Sequence, residues 1–239
     1  MVTGTAALYD RLVMELVLIR HGEPEWVRDG LNVVDPPLTE RGHLQAERVG
    51  AELSGEHFDE IIISPLLRAR QTAAPLLAAQ GRLETVEPFL EEIREPNWHG
   101  TPVELARTAY EEDRRRPSEE RWNGLSGGGE PPRDFVERVR SGAKVYWASR
   151  GMYRAKQTLP LWHLESADRR VAVFAHAGTN GVLLCHLLGL DPVPWEWDRF
   201  VTHHASITRL STMQMSDGYT FSLNRLSDVE HLPRDARTL

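Results

Sequence analysis

Residues 15–22 read Glu-Leu-Val-Leu-Ile-Arg-His-Gly, and this stretch decides the fold. Its apolar run, Leu16 to Ile19, is short and is followed at once by a polar Arg-His-Gly turn. A short, continuous apolar run that ends in a turn is typical of a strand buried on both faces. The pattern predicts that Arg20 and His21 lie at the carboxyl end of a central strand.

The same order of apolar run, polar turn and helical spacing recurs at Glu60 to Ile63 and at Val171 to Ala175. Ser64, with proline next to it, predicts a capped helix over 66–79. A further helix is expected over about 179–188. Strands that alternate with helices in this way predict an α/β protein built from parallel βαβ units.

Other elements follow from similar patterns. Two later strands are expected at 206–210 and 219–224. The helix after the first strand is predicted to begin at Thr39 and to bury an inner face formed by Leu44, Val49 and Leu53.

The segment from about 102 to 170 differs in composition, because it is polar and rich in Arg, Glu and Trp. We expect it to be a helical insertion over one edge of the sheet. Within it, the arginine run 114–116 lies among glutamates and is interpreted as a solvated, charge-balanced face. Asp134 is predicted to cap a helix that has one face formed by Phe135, Val139, Gly142 and Tyr146.

Length and charge limit the function. The 239 residues fit one domain over 14–239, with residues 1–13 as a peripheral N-terminal extension. The formal charge of −7 lacks the basic excess of a nucleic-acid binder, so no nucleic-acid partner is expected. No apolar stretch approaches the roughly 18 residues of a membrane helix, so no membrane partner is expected either. The single cysteine, Cys185, cannot form an internal disulfide, and a cytoplasmic location is the expectation.

Charged and polar residues cluster where the predicted strands end. Arg20 and His21 follow the first strand, Arg68 lies in the first turns after the second, and His176 follows the third. In a parallel sheet these ends meet at one edge, where ligands collect. A guanidinium group can hold two phosphoryl oxygens at once, and a histidine beside it can act as a nucleophile or donor. The cluster predicts a phosphate site, with Gly22 allowing a bound group to approach the backbone.

Four blocks of sequence carry a resemblance to a known family. They are LIRHGEPEW (18–26), DPPLTERG (35–42), SPLLRARQTA (64–73) and VFAHAGT (173–179). In this order they resemble the histidine phosphatase superfamily, the phosphoglycerate mutase-like proteins. The resemblance implies a three-layer α/β/α fold with a mostly parallel central sheet, together with the helical insertion. It also implies a chemistry that needs neither a metal ion nor another cofactor.

The resemblance also implies a role for each matching residue. His21 would be the nucleophile that becomes phosphorylated, and Arg20, Arg68 and His176 would hold the phosphoryl group. Ala177 stands where glycine is commoner, and its N–H can still donate to that group. The proton donor of the family matches Glu92, with the neighbouring Glu91 as its rival.

Phosphatases and mutases both resemble this chain, and the departures favour a phosphatase of the histidine acid type. Val27 stands where the mutases have an asparagine, and residues 128–139, GGEPPRDFVERV, are similar to a block of the phosphatase branch, with Pro131 in place of its serine. The expected reaction is hydrolysis of a small phosphorylated metabolite through phosphohistidine. A cofactor-dependent phosphoglycerate mutase and a non-catalytic phosphate-binding or interaction protein remain alternatives.

Several features stay open at this point. The sequence does not identify the substrate. A homodimer is a possible partner state. Adjacent His203 and His204 would suit a metal hydrolase poorly, because neighbours on a strand point to opposite faces. One of the pair could instead face the pocket mouth. Core or interface packing is the expected use of most of four tryptophans, Trp98, Trp122, Trp147 and Trp162.

Overall fold

A computed structural model describes residues 14–156 and 159–239. The expected peripheral extension, 1–13, lies outside the described residues. The strands are β1 (Met14–Arg20), β2 (Val27–Arg28), β3 (Leu31–Asn32), β4 (Glu60–Ile63), β5 (Met152–Arg154), β6 (Trp162–Leu164), β7 (Arg169–Ala175), β8 (Ile207–Met215) and β9 (Gly218–Asp228). The helices are α1 (Glu40–Leu53), α2 (Leu67–Gln80), α3 (Val103–Arg115), α4 (Pro132–Ala148), α5 (Ala177–Leu188) and α6 (Glu196–Arg199).

Seven strands form one sheet in the order β4-β7-β1-β8-β9-β6-β5. The strands β4, β7 and β1 run parallel, so their carboxyl ends meet at one edge. From β8 onward each strand is antiparallel to its neighbours, as β1 and β8 already are. The predicted α/β class is confirmed, with a sheet that is not wholly parallel.

Helices cover both faces of this sheet, which gives the predicted three layers. On β1, Leu16 and Leu18 face a core cluster that includes α4 and α5. Val17 and Ile19 face a second cluster that includes α1 and α2. Because β1 is buried on both faces, its residues form a continuous apolar run.

Two expectations for the first helices need correction. Thr39 does begin α1, since its hydroxyl accepts a hydrogen bond from the N–H of Gly42 at 3.0 Å. Leu44, however, is 39% exposed, so the inner face includes Val49 and Leu53 without it. The N-cap residue of α2 is Leu66, and not Ser64 as predicted. The Ser64 hydroxyl does accept a hydrogen bond from the N–H of Leu66 at 3.3 Å.

The segment 102–170 contains α3, α4, β5 and β6, and its parts pack differently. The helix α3 buries no residue. By contrast, Phe135 and Trp147 of α4 belong to the main core. Asp134 lies in the first turn of α4 but is not its cap, because the N-cap position is Pro131 without a side-chain hydrogen bond.

Gly142, which the sequence places on one face of α4 with Phe135, Val139 and Tyr146, has a specific reason to be glycine. A Cβ there would lie 2.1 Å from the Cβ of Phe89, which packs against this helix. The four tryptophans are core residues: Trp98, Trp147 and Trp162 are buried, and Trp122 packs partly buried against the main core. In the described ranges there is no helix that is long and apolar enough to span a membrane.

Candidate active site

His21 lies directly after β1, at the carboxyl edge of the parallel strands, and is 3% exposed. Its Nδ1 is 2.7 Å from the carbonyl oxygen of Gly22. A carbonyl only accepts hydrogen bonds, so Nδ1 carries the proton and Nε2 presents a lone pair. The ring centroid lies 5.1 Å from that of His176. In the neutral ring of His21, the lone pair on Nε2 is therefore free.

The surroundings keep His21 uncharged. Burial lowers the pKa of His21 well below its ordinary value, and the positive charges of Arg68 and Arg20 lower it further. The hydrogen bond to Gly22 raises the pKa but does not offset these effects. A histidine whose lone pair is free at neutral pH can attack phosphorus.

The two arginines come from different elements and are both desolvated. Arg20 ends β1, and burial lowers its pKa to about 10, against the opposing charge of Glu92. Arg68, in the first turn of α2, is 4% exposed, and its guanidinium carbon lies 4.8 Å from the ring centroid of Trp26. Burial lowers the pKa of Arg68 as well. In each guanidinium, Nε is buried and has no hydrogen-bond partner among the described residues.

His176 follows β7 and is completely buried. Its Nε2 lies 2.7 Å from the hydroxyl oxygen of Ser64, which follows β4. The Nδ1 atom of His176 is buried and has no hydrogen-bond partner in the part of the chain that the structure describes. Sequence reasoning gave Ser64 only a capping role, whereas the structure shows that it orients His176.

Glu92, and not Glu91, faces the site. One carboxylate oxygen of Glu92 accepts a hydrogen bond from the N–H of Gly178 at 2.8 Å, and the other accepts one from Ile93 at 3.0 Å. Burial raises the pKa of Glu92, although these hydrogen bonds and the arginine charges lower it. Glu91 pairs instead with Arg94 at 2.7 Å. A Cβ at position 178 would lie 2.5 Å from Glu92, so glycine is required there.

A partly buried ion pair fixes the segment that carries Glu92. Arg138 of α4 donates to both carboxylate oxygens of Glu130, at 2.8 and 2.7 Å. The same guanidinium donates to the carbonyl oxygens of Glu91 and Glu92, at 3.1 and 3.2 Å. The block 128–139 therefore supplies support for the acid, a role that its sequence alone did not reveal.

His204 is the member of the adjacent pair that reaches the site. Its Nε2 is 3.1 Å from Nη2 of Arg20, and its ring centroid is 5.6 Å from that of His21. Burial and the charge of Arg20 lower the pKa of His204 to about 3. His203 contacts Ser227 instead, with its Nδ1 3.2 Å from the hydroxyl oxygen. No group of three or more potential metal-ligating side chains occurs within residues 14–156 and 159–239.

Ala177 and Gly22, which are both predicted to contact a bound group through the backbone, have different surroundings. Ala177 begins α5 and lines the cavity, at the positive end of the helix dipole. The N–H of Gly22 instead donates to the hydroxyl of Thr72 at 2.9 Å. A Cβ on Gly22 would lie 2.7 Å from the carbonyl oxygen of Gly42, so this glycine permits close packing of α1. Packing is thus one reason for glycine at position 22, and approach by a bound group stays a prediction.

Arg20, His21, Arg68 and Glu92 form the floor of a cavity of about 660 Å³. His176 is buried beside this floor, next to the ring of His21. Its outer wall includes Arg107, Tyr110 and Arg114 of α3, together with Trp26 and Trp197. Neither Arg107 nor Arg114 makes an ion pair with a carboxylate of the described residues. Arg114 is exposed, as the interpretation of the arginine run as a solvated face predicts, and it also lines the cavity.

Residues 16–220 match the histidine phosphatase superfamily (branch 1), and the chain belongs to this family. The grouping of two arginines, two histidines and Glu92 in this chain agrees with the resemblance that the four sequence blocks carry. Family membership makes it a protein of the phosphatase and mutase class.

Three similar proteins illustrate this class. The chain is 34% identical over 188 residues to phosphoserine phosphatase 1 of Hydrogenobacter thermophilus, covering 75% of this chain and 78% of that protein. It is 31% identical over 194 residues to the 2,3-bisphosphoglycerate-dependent phosphoglycerate mutase of Azorhizobium caulinodans, covering 77% and 91%. A solved mycobacterial glucosyl-3-phosphoglycerate phosphatase superposes with a TM-score of 0.68 at 26% identity, over 91% of this chain and all of that one.

Proposed function

We propose that this protein is a metal-independent phosphomonoesterase of the histidine acid type, which acts through a phosphohistidine intermediate. The observation that carries this proposal is the position of His21. Its protonated Nδ1 is held by Gly22, its Nε2 has a free lone pair, and its ring lies near Arg20, Arg68 and His176. That arrangement is suited to in-line attack on a phosphoryl group held by cationic side chains.

The reaction proceeds in two balanced steps. In the first, Nε2 of His21 forms a bond to phosphorus while the bond to the leaving oxygen breaks, and protonated Glu92 donates its proton to that oxygen. In the second, water attacks the phosphohistidine, and Glu92 accepts a proton from the water as the P–N bond breaks. Arg20, Arg68 and His176 stabilise the equatorial oxygens throughout. The directions of the pKa shifts of His21 and Glu92 support these protonation states.

The cavity supports a small phosphorylated metabolite as the substrate. Its volume of about 660 Å³ lies in the range of ordinary small-molecule pockets and leaves room for an organic leaving group beyond the phosphate. A cytoplasmic location without nucleic-acid or membrane partners is also part of the proposal. The single cysteine and the net charge of −7 support the location and the lack of a nucleic-acid partner.

A phosphoglycerate mutase is the second candidate, because a mutase is among the similar proteins. The two reactions differ in what receives the phosphoryl group from His21. A panel of phosphorylated metabolites is assayed with and without 2,3-bisphosphoglycerate. Hydrolysis that does not depend on 2,3-bisphosphoglycerate supports the phosphatase, and transfer that requires it supports the mutase.

Trapping the intermediate tests the catalytic role of His21. Rapid quenching with a substrate labelled in its phosphoryl group should leave an acid-labile, base-stable label on the protein. The label should be absent in His21→Ala and present in the matched variant His203→Ala, which changes a histidine outside the floor. Label retained by His21→Ala removes this assignment. No labelling and no turnover of any substrate favours the non-catalytic alternative.

A chelator tests the expected independence from metal ions. Turnover should stay unchanged in EDTA, and vanadate should inhibit because it can mimic five-coordinate phosphorus. Loss of activity in EDTA that zinc restores contradicts the proposal.

A further inference from the structure

Arg20 is held from behind by the loop before β8. One guanidinium nitrogen, Nη1, donates to the carbonyl oxygen of Thr202, and the other, Nη2, lies 3.1 Å from Nε2 of His204. His204 is 5% exposed and reaches Arg20 across 184 residues of sequence. The orientation of Arg20 in the cavity floor therefore depends on the state of His204.

The hydrogen bonds of His204 define one tautomer. A guanidinium group only donates, so Nε2 of His204 accepts from Arg20 and has no proton. In the neutral ring the proton then resides on Nδ1, which lies 2.9 Å from the hydroxyl oxygen of Thr238. The other tautomer would place an N–H of His204 against the N–H of Arg20. Thr238 thus accepts the hydrogen bond from Nδ1–H, which only this tautomer of His204 can donate.

The position of Thr238 is itself fixed by a buried amide. The Nε2 of Gln45 donates to the hydroxyl oxygen of Thr238 at 3.0 Å and to the carbonyl oxygen of Ala236 at 2.7 Å. Its Oε1 accepts from the N–H of Glu23 at 2.7 Å, so the amide has one orientation. The N–H of His204 also donates to the carbonyl oxygen of Thr238 at 3.0 Å. Side-chain and backbone hydrogen bonds together hold residues 236–238 against His204.

We propose that Thr238 is a positioning residue of the phosphoryl site: it fixes the Nδ1–H tautomer of His204, which in turn aims the guanidinium of Arg20 at the transferred phosphoryl group. Gln45 holds Thr238 for this purpose. The inference rests on the proposed function in so far as Arg20 binds that group. Because Thr238 acts through a group that contacts the phosphoryl oxygens, its effect is the same for every leaving group.

The experiment compares Thr238→Val, which keeps the shape and removes the acceptor, with Thr238→Ser, which keeps the hydroxyl. Thr238→Val should weaken the binding of inorganic phosphate and of vanadate about tenfold. This is the lower end of the loss of affinity that is typical when a residue that orients a metal ligand is replaced, which is a comparable positioning role. It should lower kcat/KM by one common factor for an alkyl phosphate and for 4-nitrophenyl phosphate. Thr238→Ser should restore both properties.

Thr212→Val is the matched control, because Thr212 is also a buried acceptor, at 2.9 Å from the N–H of Met14, but lies away from the cavity. It should leave phosphate affinity unchanged even where Tm falls. Phosphate affinity of Thr238→Val equal to that of the wild type overturns the proposal. So does a loss in kcat/KM that differs between the two substrates, or a loss that Thr238→Ser does not restore.

A second measurement does not depend on turnover. Long-range ¹H–¹⁵N NMR of the imidazoles should show the Nδ1–H tautomer of His204 in the wild type and in Thr238→Ser, and its loss in Thr238→Val. Wild-type protein that binds inorganic phosphate but hydrolyses no phosphomonoester contradicts the proposed function alone. A tautomer of His204 that does not change in Thr238→Val overturns the role of Thr238.

Discussion

Helix α5, which begins beside His176, buries ten of its twelve residues, whereas α3, which forms part of the outer wall of the cavity, buries none. The floor groups are fixed by burial and by hydrogen bonds to several strands and helices. The wall groups Arg107 and Arg114 belong to α3, which buries none of its side chains against the rest of the protein. Chemistry that requires fixed distances is thus placed on the packed part of the molecule. The outer wall of the cavity is on an exposed helix, where substitutions disturb little else.

The largest expected effect is the difference in kcat/KM between replacing an arginine of the cavity floor and replacing one of the outer wall. Arg68→Ala leaves phosphoryl charge unmet in a desolvated floor and should lower kcat/KM by about 10³-fold. Arg107→Ala, the matched change on the wall, should lower it by less than about tenfold, mainly through KM. Steady-state kinetics on one phosphomonoester measures both variants. Equal losses would show that the floor and the wall do not differ in this way.

The next effect concerns the two adjacent glutamates. Glu92→Gln removes the proton that the leaving oxygen needs, so turnover of an alkyl phosphate should fall by about 10²-fold. A nitrophenyl phosphate, whose leaving group needs little protonation, should be affected less. Glu91→Gln is the control and should remain near the wild type, because Glu91 pairs with Arg94 outside the cavity floor. The reverse result for the two variants would move the acid to Glu91.

The pH dependence follows from the same groups. Burial raises the pKa of Glu92 above its ordinary 4.5, so the acid stays protonated to a higher pH, and activity is lost as pH rises through that raised pKa. The pKa of His21 is lowered below 6.5, so the nucleophile becomes protonated only at a more acidic pH. We expect kcat/KM for an alkyl phosphate to fall about tenfold per pH unit on the alkaline side. An alkaline limb that persists unchanged in Glu92→Gln belongs to another group.

The smallest effect is on stability. Leu105→Ala on α3 removes a side chain that is 50% exposed and should change the free energy of unfolding by less than about 0.5 kcal/mol. Leu184→Ala on α5 opens a cavity in the core and should cost about 2–5 kcal/mol. Denaturant titration compares the two variants. A similar cost at both positions would mean that α3 is packed more firmly than its exposure indicates.

Local patterns in the sequence were sufficient for the central strands and for the floor residues that follow them. The strand predicted at Glu60 to Ile63 has those bounds in the structure, and the run ending at Arg20 is the central strand β1. Boundaries were less accurate where packing sets them. The two last strands extend to Met215 and Asp228, beyond the predicted 210 and 224, because their pairing as a hairpin continues past the apolar residues.

The sequence by itself determined which residues stand at the ends of the parallel strands, because strand periodicity and turn residues act over a few neighbours. Hence Arg20, His21, Arg68 and His176 could be assigned to one cluster from local patterns alone. Only the tertiary structure decided what holds them. Ser64 reaches His176 across 112 residues and Thr238 reaches His204 across 34. Such contacts depend on how the layers pack, and no local pattern encodes them.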